Sequence, residues 1–138
     1  MKNYLIPFLV FSLFWLTGCE SAPNLVVGDV SVDIPARNVE VEVKNIGNED
    51  AGTHLVYIEI NEVGAADALK PQSQYSANIS SIPADGSWNS GPILFSNFSS
   101  PRGLDLSTLT SLNLVVRADA KNMVQESNEG DNIYDADH

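Results

Sequence analysis

From Asn24 onward, apolar residues recur at every second position, which is the period of a half-buried strand and not of a helix. Val39, Val41 and Val43 alternate with Glu40, Glu42 and Lys44. Before them, Val26, Val30, Val32 and Ile34 fall on one face of a first strand, with Asp29, Ser31 and Asp33 opposite. Val56, Ile58 and Ile60 alternate with Leu55, Tyr57 and Glu59 in a third strand. Leu112, Leu114, Val116 and Ala118 alternate with Asn113, Val115 and Arg117 in a late one. Gln74 to Ile79 and Ser87 to Phe95 read as two less regular strands, separated by the turn signal Pro83-Ala84-Asp85-Gly86. Asn45-Ile46-Gly47-Asn48 closes the second strand, with Gly47 free to take positive φ. Leu104 to Leu109 predicts one helical turn capped by Asp105 or Ser107. Glu62 to Leu69 is open between a short helix and a long hairpin loop. Short strands at even spacing, with turn residues between them, predict an all-β antiparallel sandwich.

The pattern changes at the N-terminus. Tyr4 to Leu16 is an apolar block after Lys2, of signal-peptide length. It falls short of the roughly 20 apolar residues of a spanning helix. Small Thr17 and Gly18 follow, then Cys19, the only cysteine. Leu16-Thr17-Gly18-Cys19 resembles the lipobox of bacterial lipoproteins, in which the cysteine receives diacylglycerol on sulfur, the preceding peptide is removed, and the new amine takes a fatty acid. An ordinary signal peptide with an incidental cysteine, or a buried apolar strand, is the bland alternative. The resemblance implies a signal peptide over 1–18, a lipidated cysteine and short tether over 19–24, and one domain over 25–138. It implies an exported chain, lipid-anchored to a bacterial membrane and facing the periplasm or the surface. Glu20, where inner-membrane retention is associated with Asp, favours the outer membrane. The tether Glu20–Asn24 spans at most about 17 Å.

Charge narrows the partners. The chain has 138 residues, 7 basic and 18 acidic, with a formal charge of −11. Removing residues 1–18 takes away Lys2 and no acid, leaving 120 residues and −12. That length holds one domain. Its charge excludes phosphate backbones as a natural partner and disfavours anionic lipid, so the acyl chains are the expected hold on the membrane. With one cysteine there is no internal disulfide, and the core must hold the fold.

The run Asp119-Ala-Lys-Asn122-Met-Val124-Gln-Glu126-Ser-Asn128-Glu129-Gly-Asp-Asn132 resembles the end signature of the CARDB family, the cell-adhesion-related domain found in bacteria. Val39 to Gly47, with Asn45 and Gly47 in an Asn-x-Gly turn, resembles the family's second strand. Ile82 to Ser87 followed by Trp88 resembles the entry to a later one. Gly130-Asp131 departs from the pattern, where the family often has a single residue and paired Asn, so the last turn is expected to be longer. The resemblance implies an immunoglobulin-like sandwich of about seven strands and a binding or adhesion role. Asn45, Gly47, Asp119, Asn122, Glu126, Asn128, Glu129 and Asn132 are then motif residues with a structural role.

The same run offers hard oxygen ligands, and Asp119, Glu126, Glu129 and Asp131 are the calcium candidates, since Ca²⁺ takes 6–8 oxygens. The spacing is not that of an EF-hand, because Lys121 and Met123 fall where oxygens belong. The structural alternative is a hairpin and exit loop whose Asp and Asn side chains satisfy turn amides. His54 lies on the apolar phase of its strand and reads as a strand-end or core residue; His138 is terminal. There is no nucleophile elbow, histidine metal cluster or phosphate loop, and Glu40 and Glu42 share a solvated face. No catalytic residue and no cofactor other than the lipid is expected. Trp88, with Tyr57, Tyr75, Phe95, Phe98 and Tyr134, reads as a core residue between sheets ahead of a carbohydrate platform. The sequence therefore points to a lipid-anchored, non-catalytic module that recruits an envelope protein or glycan. The alternative is an accessory lipoprotein of an envelope assembly without its own ligand. A calcium-dependent binding domain is the remote third.

Overall fold

Val39, Val41 and Val43 are fully buried along one face of β2 (Asn38–Asn45), as their alternation requires. In the computed structural model, which describes residues 21–138, β2 is the centre of one antiparallel sheet. It pairs β1 (Leu25–Asp33) on one side, and both β5 (Ser87–Asn89) and β6 (Ile93–Leu94) on the other. The second antiparallel sheet runs β4 (Ser73–Ile79), β3 (His54–Asn61), β7 (Asn113–Arg117) and β8 (Ile133–Asp137). Val56, Ile58 and Ile60 of β3, with Leu114 and Val116 of β7, meet the β2 valines to form the core. Phe95, Phe98, Leu106, Leu109 and Leu112 close it at the end reached by the β1–β2 turn. Fully burying an aliphatic side chain of this size is worth about 1.5–3 kcal/mol.

β5 and β6 are two halves of one broken edge strand, so the eight segments amount to about seven strands, of which β8 is the one that no sequence pattern placed. The break lies at Ser90-Gly91-Pro92, where the Ser90 hydroxyl replaces a ladder partner by accepting the Val41 N–H at 3.0 Å.

Several local expectations are corrected. β1 carries an irregularity between Val27 and Val30, so Leu25 and Val27, not Val26, share the inward face with Val30 and Val32. The extra residue falls at Gly28-Asp29, a bulge that period-two counting steps across. Gly47 does not use positive φ. Its restriction is space: a Cβ there would lie 2.4 Å from the Ala22 carbonyl oxygen and 2.5 Å from the Asn24 nitrogen. In the Pro83–Gly86 turn the positive φ falls on Asp85, at 56°. Leu104–Leu109 forms turns, not a helix: Asp105 Oδ1 accepts the Ser107 N–H at 2.9 Å, and no helical ladder follows. Glu62–Leu69 is a hairpin loop with one 3-10 turn at Asp67–Leu69. The edge strand β8 closes the second sheet within a segment whose exposed residues alternate with half-buried ones.

The sandwich has two distinct ends. At one lie Ala22–Asn24 and the loops 46–53, 80–86 and 118–132; at the other lie the loops 34–37, 62–72 and 95–112.

Candidate functional site

The motif residues converge at the first of these ends, on the incoming chain. Asn45 is 1% exposed and uses its whole amide. Its Oδ1 accepts the N–H of Asn24 (3.0 Å) and of Gly47 (3.1 Å). Its Nδ2 donates to the carbonyls of Glu49 (2.7 Å) and Ile82 (3.1 Å). The Ile46 N–H returns to the Asn24 carbonyl at 2.8 Å. This ties the end of β2 to the segment before β1. It is also why Gly47 must lack a side chain.

The C-terminal run grips the same segment from the other side. Glu126 accepts the Leu25 N–H on Oε2 and the Asn132 amide, at 3.2 Å, on Oε1. Ser127 N–H donates to the Pro23 carbonyl at 3.0 Å, and Asn24 Nδ2 donates to Asp131 Oδ2 at 3.2 Å. Asp119 ends its strand by accepting the Val124 N–H on Oδ2 at 2.7 Å, while Asn122 turns the chain at φ 47°. Glu129 accepts the Glu126 N–H at 3.0 Å, and Asn128 Oδ1 accepts the Gly130 N–H at 3.1 Å. All eight motif positions thus lie in one corner, and most serve backbone amides. Asn24 and Asp131 complete it. Asn24 carried no sequence signal beyond its position next to a strand, and Asp131 stood where the run departs from the family pattern.

Burial pushes the Glu126 carboxyl above the usual glutamate range, and Glu129 and Asp119 push it the same way. The Leu25 N–H and the Asn132 amide oppose the rise. The corner also leaves Asn24 Oδ1, Asp119 Oδ1 and Asp131 Oδ1 buried without a partner. These are hard oxygens of the kind a cation takes. Among the described residues, however, no three His, Cys, Asp or Glu side chains converge closely enough to hold an ion. Each of the four calcium candidates has at least one oxygen committed to an N–H.

Other candidates disperse. His54 is fully buried at the start of β3, with Nδ1 2.8 Å from the Gly52 carbonyl and Nε2 unpartnered. Trp88 is half-buried against the core on the first sheet. Tyr75 and Phe95 pack on Phe98 at 5.6 and 6.4 Å, while Tyr134 stacks on His138 at the edge of the second sheet. These rings do not form one platform. Glu42 pairs with Lys44 at 3.0 Å, and that contact lowers its pKa. At the far end, Arg37 donates to the carbonyls of Leu106 (3.2 Å) and Leu109 (2.7 Å) beside a largely apolar hollow of about 490 Å³. Cys19 lies outside the described residues.

Two antiparallel sheets packed face to face, joined in this strand order, define an immunoglobulin-like β-sandwich. The chain matches the CARDB family over residues 22–136 and belongs to it. This is an adhesion-related family whose domains are generally non-catalytic. A domain (residues 272–376) assigned to a cell surface protein of Methanosarcina acetivorans superposes with a TM-score of 0.58 at 22% identity, covering 84% of this chain and 90% of that one. The CARDB domain of a Pyrococcus furiosus protein, solved in complex with di-metal ions, gives 0.52 at 19% identity, covering 85% and 92%. At these identities the likeness is one of fold. No curated protein matches the chain in sequence.

Proposed function

We propose that this chain is a lipid-anchored envelope module that binds a protein or glycan close to the membrane that holds it. Cys19 would carry diacylglycerol and a fatty acid. The observation that carries the reading is the fastening of Ala22–Leu25 by Asn45, Asn48, Glu126, Ser127 and Asp131. Only Glu20 and Ser21 then stand between Cys19 and a hydrogen-bonded domain. The anchored end is the motif corner, and the loops 34–37, 62–72 and 95–112 at the other end face away from the membrane. Loops held on a rigid sandwich are where such folds bind. Cys19→Ala should leave an unprocessed or membrane-released product in cell fractions, and a mature-sized, membrane-bound product would overturn the reading. Protease shaving of intact cells assigns the face. A stoichiometric complex with one envelope protein, and no glycan binding, would favour the accessory-subunit alternative.

A calcium-dependent form of this module is the second reading, favoured by the three buried oxygens without partners at the motif corner. It requires a rise in melting temperature between chelator and millimolar calcium. No rise ends it.

A further inference from the structure

We propose that the hollow at the far end of the sandwich is a binding site for one aliphatic side chain carried by a basic polypeptide segment. This names the partner chemistry of the binding-module reading above and rests on it.

Two walls form the hollow, residues 94–96 where β6 ends and residues 104–107 in the loop before β7. One residue braces both. The Arg37 carbonyl accepts the Phe95 N–H at 2.8 Å, while its guanidinium donates to the carbonyls of Leu106 (3.2 Å) and Leu109 (2.7 Å). Arg37 does this from φ 58°, a left-handed conformation that a non-glycine residue keeps only where its surroundings enforce it. Leu94 lines the hollow and stays 48% exposed instead of closing it. A braced recess of about 490 Å³ lies in the size range of ligand sites, and apolar surface left open to water marks a place where something binds.

The lining selects the occupant. Leu94, Leu104 and Leu106 offer aliphatic carbon, which suits an aliphatic group and would leave sugar hydroxyls unbonded. Phe95 is 4% exposed, so it presents no ring face on which a sugar could stack. Lipid of the anchoring membrane is out of reach, because the nine residues of β1 set the hollow about 30 Å from the motif corner. A side chain delivered by a partner protein meets all three conditions, and side chains seated in such pockets anchor protein contacts.

Charge selects what flanks that side chain. Asp105 lines the hollow, and Ser107 binds its Oδ1 through both the N–H (2.9 Å) and the hydroxyl (2.6 Å). Those bonds hold the carboxyl below the usual aspartate range, so it is charged at neutral pH. Among the described residues its Oδ2 has no hydrogen-bond partner. At the same end Asp33, Glu62, Asp67 and Asp137 add negative charge. Of the basic residues there, Lys70 is paired with Asp67 at 3.5 Å and Arg37 is turned to the wall carbonyls, which leaves Arg102. With −11 on the chain as a whole, the field at this end draws a basic segment and repels an acidic one.

The test uses the full-length product and a photo-crosslinking peptide, Gly-Lys-photoleucine-Lys-Gly, with the labelled residues located by mass spectrometry. Co-flotation with phosphatidylcholine vesicles reads the anchor separately. Wild type should be labelled within residues 94–107, and excess Gly-Lys-Leu-Lys-Gly should protect it. Leu94→Lys and Ser96→Trp, both at exposed lining positions, should keep the wild-type unfolding midpoint and lose the labelling; if one fails to fold, the other decides. Asp105→Asn keeps an acceptor for Ser107 and should weaken labelling several-fold. Labelling by an isolated peptide also separates this module from an accessory subunit without a ligand of its own. Absence of labelling at 94–107, labelling that survives in a folded Leu94→Lys or Ser96→Trp variant, or labelling unchanged in Asp105→Asn each overturns the proposal. So does equal protection by Gly-Glu-Leu-Glu-Gly, Gly-Lys-Ser-Lys-Gly, decanol or an oligosaccharide. Failure to float with the labelling intact refutes the anchor alone.

Discussion

Replacing Asn45 by alanine removes hydrogen bonds to Asn24, Gly47, Glu49 and Ile82 in one step. The four losses are not equal. The Ile82 carbonyl keeps the Ala51 N–H at 2.9 Å, and Glu49 is exposed to water. The deficit therefore falls on the Asn24 and Gly47 N–H groups, and Asn24 is buried. A buried donor left without a partner costs about 1–3 kcal/mol, and a partly solvated one less. Asn45→Ala should thus lose about 2–4 kcal/mol, a large share of the 5–15 kcal/mol typical of a domain. Asn45→Asp should do no better, because it keeps the acceptor but turns a carboxylate oxygen toward the Glu49 and Ile82 carbonyls. Urea unfolding followed by tryptophan fluorescence gives the global number, with an unchanged m-value. Amide hydrogen exchange at Asn24 and Leu25 gives the local one, and it should quicken more than exchange in β3. A loss below about 1 kcal/mol, with exchange at Asn24 unchanged, would refute the idea that this side chain fastens the start of the chain.

Two further predictions test the same corner. The Glu126 carboxyl has a folded pKa above its unfolded value, so the folded state binds the proton more tightly. Its contribution is fully present below the ordinary glutamate value of about 4.3 and is lost as pH rises through the folded value. Glu126→Gln should flatten the slope of stability against pH across that window, measured by urea midpoints, and an unchanged slope would contradict the assignment. Gly47→Ala should destabilise by about 1–3 kcal/mol, because its Cβ meets the Ala22 and Asn24 backbone. At Gly52 nothing lies within 4 Å of an added Cβ, so Gly52→Ala should be neutral or slightly stabilising in the same assay.

The strands β2, β3 and β7 were legible because the face each turns to the core is lined by apolar residues, and that writes a period of two into the sequence, even though β7 and the end of β3 are buried on both faces. Features that break the period were not. The Gly28-Asp29 bulge shifted the inward face of β1 from Val26 to Leu25 and Val27, and only the partner register with Val41 and Val43 reveals it. β8 escaped because an edge strand with an exposed–half-buried pattern and alternating acids resembles a loop by composition. The motif residues were legible as a set through family resemblance, but their purpose was not. Asn45 and Glu126 act on Asn24 and Leu25, across 21 and 101 residues of sequence, and no local pattern encodes such a contact.

On the proposed lipid-anchored reading, that distance in sequence gives the corner a mechanical role. Any pull on the N-terminus is borne first by the segment 22–24, and a segment held only by β1 would peel from its end. Here the bonds run to three different loops: the β2–β3 turn through Asn45, Ile46 and Asn48, the β7–β8 loop through Glu126, Ser127 and Asp131, and, through Asn45 itself, the carbonyl of Ile82. Load entering at Ala22 is therefore shared between both sheets before β1 must open. The same wiring makes Asn45 the residue whose loss releases the most contacts at once. On that reading the motif serves the mechanics of attachment and leaves the far loops for recognition.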